Sequence, residues 1–143
     1  MIKKATKYDI ARIVEIEKDS FPDPWEEQLF RGTLDSRDKY FFVDAMGNDI
    51  AGYAIFEKVF DEGHITNLAV SKHYRRKGVA TRLVNKMLDL AKGMGIKEIF
   101  LEVSESNEAA RKLYSKFGFA KVSKRKGYYQ GTNEDALILH LYI

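Results

Sequence analysis

Apolar positions along the chain change period several times, and each change marks an element. After Thr6-x-x-Asp9, a capping-box pattern, Ile10, Ile13 and Val14 recur at helical spacing and predict a helix through Glu17 toward Ser20. Phe21-Pro22-Asp23-Pro24-Trp25 breaks it. Asp23 suits an N-cap there, Pro24 the first helical position and Glu26 its third, which predicts a second helix burying Leu29, Phe30 and Leu34. Tyr40–Ala45 and Ile50–Phe56 read as strands around the turn Gly47-Asn48-Asp49, and the run from Gly63 to Val70 extends this meander. Val79, Leu83, Val84, Met87, Leu88 and Ala91 then follow helical spacing up to the stop signals Gly93 and Gly95. Ile96–Val103 alternates, with Ile99, Leu101 and Val103 on one face and Phe100 and Glu102 on the other. Asn107 opens a helix whose apolar stripe is Ala109, Ala110, Leu113, Tyr114 and Phe117. Gly118 ends it, and strands Phe119–Lys124 and Glu134–Tyr142 close the chain.

These elements predict an α+β chain. The crossover from the Leu68 strand to the Leu101 strand passes through a helix, so that pair must be parallel and right-handed, while the other connections read as antiparallel. At 143 residues the chain is one domain's worth, with 45% hydrophobic and 31% charged residues. No apolar stretch approaches the ~18 residues of a membrane span, and the first residues lack a signal-peptide core, which predicts a cytoplasmic protein. Without cysteine, disulfides, thiolate metal sites and cysteine nucleophiles are excluded. His64, His73 and His140 are scattered without ligand spacing, so no metal is expected.

The net charge of +3 is mild, but basic residues concentrate in Lys72–Lys77 and again at Lys121, Lys124, Arg125 and Lys126. Both clusters are consistent with solvated faces or with a nucleic-acid footprint, and the second carries no RNA-binding motif. The first reads differently because of its setting. Arg75-Arg76-Lys77-Gly78-Val79-Ala80 lies between a buried strand and a helix, where unpaired N–H groups and a side-chain-free glycine let an anion approach. An ordinary strand-to-helix turn with a solvated basic face is the plainer alternative. Neither a P-loop nor a dinucleotide fingerprint is present.

The loop fits [QR]-x-x-G-x-[GA] through Arg75, Gly78 and Ala80. Further on, Leu101-Glu102-Val103 precedes Ser106-Asn107-x-x-Ala110-x-x-Leu113-Tyr114-x-x-x-Gly118-Phe119. Together these resemble the two halves of the pattern of the GNAT superfamily of acetyl-CoA-dependent N-acetyltransferases. Phe21-Pro22, Asn67–Val70, Tyr128-Tyr129 and Glu134-Asp135-Ala136 extend the resemblance to the RimI-type and archaeal protein N-terminal acetyltransferases, over nearly the whole chain. Ile138-Leu139 departs from a methionine found in many relatives, a conservative core change.

The resemblance implies a single domain over residues 1–143 with a three-layer α/β/α fold. Its mixed, mostly antiparallel sheet would have splayed parallel central strands and flanking helices. Acetyl-CoA would enter the splay, pair along Leu68, Ala69 and Val70, and set its pyrophosphate on Arg75, Arg76, Lys77, Gly78, Val79, Ala80 and Thr81, with Asn107 and Tyr114 as further contacts. Glu102 matches the general base, acting through water, and Tyr114 the general acid. Phe21, Pro22, Tyr128 and Tyr129 would wall the pocket for a peptide start. The acceptor implied is a protein or peptide N-terminus, ribosomal proteins among the candidates, with neither membrane nor nucleic-acid partner, and a monomer or weak dimer as the assembly.

Each residue also has a plainer reading. A structural hydrogen bond accounts for Glu102, helix packing for Tyr114, an N-cap for Asn107 and for Asp23, aromatic packing for Trp25, and loop anchoring for the pocket wall. Acetylation of a lysine side chain or a small polyamine is the alternative activity, and a non-catalytic module binding CoA or nucleic acid is the alternative class.

Overall fold

A computed structural model describes residues 1–129 and 134–143, with the Tyr129 side chain also outside the described set. Its strands are β1 (Ile2–Lys4), β2 (Lys39–Met46), β3 (Asp49–Val59), β4 (Glu62–Val70), β5 (Glu98–Ser104), β6 (Ala120–Tyr129) and β7 (Glu134–Tyr142). The helices are α1 (Ile10–Ser20), α2 (Glu27–Leu34), α3 (Val79–Gly93) and α4 (Glu108–Lys116). One seven-stranded sheet runs in the order β1-β2-β3-β4-β5-β7-β6. Among the described strands only β4 and β5 pair in parallel, as a crossover through α3 requires.

Helices cover both faces, which makes three layers. On one face Val79, Leu83, Val84, Met87, Leu88 and Ala91 of α3 and Tyr114 of α4 pack with Phe42, Ala54, Phe56, Leu101 and Val103. On the other, Ile10, Ile13 and Ile16 of α1 and Phe30 of α2 pack with Phe41, Val43, Tyr53, Ile55 and Ala69. Gly52 serves this packing: a Cβ there would meet Ala69 O at 2.8 Å and Val79 Cγ1 at 2.9 Å, so glycine lets the first turn of α3 close on the sheet.

Two elements depart from the sequence pattern. β1 is absent from it, because three residues pairing with Phe42–Asp44 are too short to show a period. α2 starts at Glu27 rather than behind an Asp23 cap, and Leu29 is 54% exposed while Phe30 is fully buried. The cause lies in α1. Glu17, 2% exposed on the apolar stripe, accepts the Trp25 backbone N–H at 2.9 Å, and so holds the α1–α2 link extended past Asp23 and Pro24. Trp25 itself packs on Phe30, ring centroids 5.4 Å apart.

The same carboxylate accepts the Tyr53 hydroxyl and the Asn67 side-chain amide. Burial pushes the Glu17 carboxyl above its ordinary value, and its three donors pull it partly back. A raised folded value means that this group adds stability as the pH falls through it, in full below the unfolded value of about 4.3. Glu17→Gln removes that gain and turns an amide N–H toward a donor, an expected loss of about 1–3 kcal/mol. Urea melts at neutral pH and near pH 4.5 should therefore show the gap between native protein and variant widening in acid. A gap that narrows there would contradict this reading of Glu17.

Candidate active site

The site begins where two neighbouring strands stop pairing. β4 and β5 are joined from Glu62↔Glu98 to Ile65↔Leu101 and no further. Beyond that point β4 stays with β3 as far as Gly52↔Val70, and β5 stays with β7 as far as Ser104↔Ala136. An extra residue drives them apart. Phe56 pairs with Ile65 but Ile55 with Asn67, so Thr66 bulges from β4 and bends it away from β5. The gap-side edge of Asn67–Val70 is left without a partner strand. Such an edge accepts an extended amide-containing ligand as an added strand.

Side chains with opposite capacities flank this gap. On β5, Leu101 and Val103 are buried toward α3 and α4, which turns Glu102 to the α1/α2 face, 31% exposed. Arg125 Nη1 lies 3.2 Å from Glu102 Oε1, and the Tyr128 hydroxyl donates to the same carboxylate. Tyr114 reaches the sheet from the other face. It is 5% exposed, packs edge-on to Phe119 at 5.5 Å, and burial pushes its phenol well above the ordinary range, so it stays protonated. A carboxylate and a protonated phenol thus lie on opposite faces of the sheet around β5.

The basic loop lies at the far end of β4. A 3₁₀ turn, Lys72–Tyr74, leads into it, anchored by Ser71 N–H to Ala51 O at 2.8 Å, by Arg12 to Ser71 Oγ at 3.0 Å, and by the Tyr74 hydroxyl to Asp49 at 3.1 Å. Arg76 and Gly78 then adopt left-handed conformations, φ 62° and 76°. α3 has no side-chain cap. Its first internal bond is Arg82 N–H to Gly78 O, which leaves the N–H groups of Val79, Ala80 and Thr81 facing out of the helix end. Arg75, Arg76 and Lys77 are exposed around them. Arg82 instead points back to buried Asp44 at 2.8 Å, which also holds the amino group of Met1.

Gly78→Val forces a β-branched residue into a left-handed conformation and crowds Arg82 Nη1, 3.2 Å from the added Cβ. The expected result is a folded protein whose affinity for acetyl-CoA, measured by calorimetric titration, falls roughly tenfold or more, in line with strain of ~1–3 kcal/mol. Unchanged affinity in a folded variant would remove the loop from the site.

The expected pocket wall is assembled in part. Phe21 packs against the α1/α2 core, and Pro22 is exposed beside it. Glu17 ties their link to Asn67 at the gap, whose own Oδ1 is buried without a hydrogen-bond partner among the described residues. Tyr128 stands at the gap by its contact with Glu102, whereas the Tyr129 side chain lies outside the described residues. A second irregularity places Tyr128. β6 and β7 pair at Arg125↔Ala136 and next at Tyr129↔Glu134, so residues 126–128 bulge opposite Asp135. Asp135 accepts the Gly127 N–H at 2.8 Å and pairs with Lys124 at 3.2 Å, while Glu134 accepts Ser104 and Ser106 from the end of β5. The Glu-Asp-Ala segment therefore fixes the geometry beside Glu102. Asn107 caps α4, its Oδ1 accepting Ala110 N–H at 3.1 Å.

Glu17, Asn67 and Arg125 belong to this region but do not stand out as site residues in the sequence. A carboxylate on the apolar stripe of α1 was the one available signal. No group of three or more metal-ligating side chains occurs among the described residues.

The acetyltransferase (GNAT) family profile matches residues 10–119. A [ribosomal protein bS18]-alanine N-acetyltransferase from Haemophilus ducreyi is 34% identical over 149 residues, with all of both chains covered. An N-alpha-acetyltransferase from Saccharolobus solfataricus is 32% identical over 151 residues, covering 96% of this chain and 90% of the relative. Among solved structures, the ribosomal-protein-S18-alanine N-acetyltransferase from Escherichia coli superposes with a TM-score of 0.90 at 31% identity, covering 100% of this chain and 93% of the other.

Proposed function

The chain belongs to the acetyltransferase (GNAT) family, and from that premise we propose that it moves the acetyl group of acetyl-CoA to the N-terminal α-amine of proteins. One observation carries the chemistry: Glu102 follows directly on the last β5 residue paired with β4, at the mouth of the gap, while buried Tyr114 lies in one cluster with Leu101 and Val103 on the opposite face of the same strand. The substrate class rests on the relatives, whose names specify ribosomal protein bS18 alanine and N-alpha positions.

The residues present fit acetyl-CoA. The unpaired edge of Leu68, Ala69 and Val70 suits the amides of its pantetheine arm. The uncapped end of α3, with Gly78 leaving the approach open, suits its pyrophosphate, and Arg75, Arg76 and Lys77 supply positive charge. Bound there, the cofactor supplies an activated acyl group. Glu102, through water, takes a proton from the arriving amine, whose lone pair then attacks the acyl carbon. A backbone N–H of β4 near Leu68 or Ala69 stabilises the developing oxyanion. As the C–S bond breaks, the Tyr114 hydroxyl gives its proton to the departing sulfur. Burial keeps the Tyr114 phenol protonated until that step. Asn107, beyond its role as a cap, sits at the start of α4 where a pantetheine contact is available.

Phe21, Pro22 and Tyr128 wall the entrance for the first peptide residues, with Tyr129 assigned there from the sequence. No described helix is long and apolar enough to cross a membrane. A ribosomal protein as acceptor places the reaction in the cytoplasm. The test is incubation with acetyl-CoA and peptides varied at the first two residues. Acetylated α-amines, beginning with Ala-first peptides, are expected; a panel left unmodified would contradict the proposal.

A further inference from the structure

The basic cluster on β6 hides one cation with a different situation from its neighbours. Lys124 is spent on Glu105 and Asp135, at 3.1 and 3.2 Å. Lys121 and Lys126 are exposed on the edge strand, where charge discourages pairing with another sheet. Arg125 instead crosses to β5. It sets Nη1 3.2 Å from Glu102 Oε1 and lays its guanidinium over the Tyr128 ring, 5.5 Å from the centroid. The bulge of residues 126–128 begins just after it, which brings base, cation and ring together on one side of the gap.

That side is where an amine has to arrive. At neutral pH most N-terminal amines are ammonium ions, with a reference pKa of about 7.7–8.0. An arriving ammonium carries the same charge as Arg125, donates hydrogen bonds as Arg125 does, and needs the same carboxylate. The nearby carboxylates offer the guanidinium no equal alternative, since Glu105 and Asp135 hold Lys124, and Glu134 holds Ser104 and Ser106. The Arg125 side chain is 56% exposed, so it can swing off Glu102 into water and along the ring without disturbing the core.

We propose that Arg125 is a positioning residue that holds Glu102 in the resting site, so that a peptide N-terminus, with the water that joins it to the carboxylate, enters by displacing the guanidinium. The proposal rests on Glu102 being the amine-side base. The exchange sets a threshold that every ammonium meets alike, while contacts along Phe21, Pro22 and Tyr128 are what separate a peptide from a small amine.

The test compares steady-state kinetics on an Ala-first hexapeptide for the native enzyme, Arg125→Ala, Arg125→Lys, Glu102→Gln and the Glu102→Gln/Arg125→Ala double variant. Arg125→Ala should lower the peptide KM about 1.5- to 5-fold, the range spanned by an exposed ion pair. Arg125→Lys should keep the native KM, and the double variant should show no change in KM relative to Glu102→Gln alone. A peptide KM that rises or stays constant in Arg125→Ala, while Glu102→Gln still lowers kcat, would overturn the exchange and leave the base in place. Should Glu102→Gln leave kcat unaltered, the base assignment falls and the exchange with it.

Discussion

Glu102→Gln should lower kcat on a free N-terminal peptide by roughly 10²–10⁴, the usual worth of general base catalysis. Glutamine keeps the shape of the side chain and one acceptor oxygen, so Tyr128 can still donate to it, but it cannot take a proton. The ion pair it removes is exposed, with Arg125 56% and Glu102 31% accessible, so the fold should be almost unaffected. Acetyl-CoA affinity should barely move, because the groups that would bind the cofactor lie on β4, at the start of α3 and on α4, and Glu102 is not among them. The loss should shrink as the pH rises past the amine's own pKa of about 7.7–8.0, since a neutral amine no longer needs the base. Single-turnover rates across a pH series decide it. An equal loss at every pH would make Glu102 a structural carboxylate.

Alternation on β5 made Glu102 legible from sequence, because a charged residue between Leu101 and Val103 must face away from the core they enter. Tyr114 was legible in the same way from the stripe of α4, and the strand–loop–helix order located the uncapped start of α3. The bulge at Thr66 was not. A bulge is a relation between two strands, visible only as a jump in register from Phe56↔Ile65 to Ile55↔Asn67. Arg125 was hidden for a related reason. In a run of basic residues nothing local separates it from Lys124 or Lys126, and its facing follows from a register shift between Lys121 and Ser123 that only the pairing with β7 reveals. The start of α2 was misplaced because a tertiary contact, Glu17 with the Trp25 N–H, outweighs the capping preference of Asp23.

Discrimination between α-amines and lysines should be the largest selectivity the enzyme shows, and proton arithmetic sets its scale. At pH 7 roughly 10% of α-amines are neutral but only about 0.04% of lysine side chains, a ratio of a few hundred from reference pKa values near 8 and 10.4. A single glutamate acting through water meets that difference directly, and no second carboxylate has been assigned to share the work. The walls add to it. In the proposed site, Tyr128 beside Glu102 and the Phe21-Pro22 link would favour a short, bent peptide start over an extended lysine stem. Peptides beginning with free Ser, Ala or Met should become acetylated at the α-amine. Peptides blocked there but carrying internal lysines should react at least ~100-fold more slowly.

The most direct measurement is mass spectrometry of both peptide sets after incubation with acetyl-CoA, with the acetyl group located by fragmentation and initial rates compared. Acetyl on the α-amine, with blocked lysine peptides at least ~100-fold slower, is the predicted result. Comparable rates on blocked lysine peptides, or transfer to spermidine and to no peptide, would contradict N-terminal acetylation.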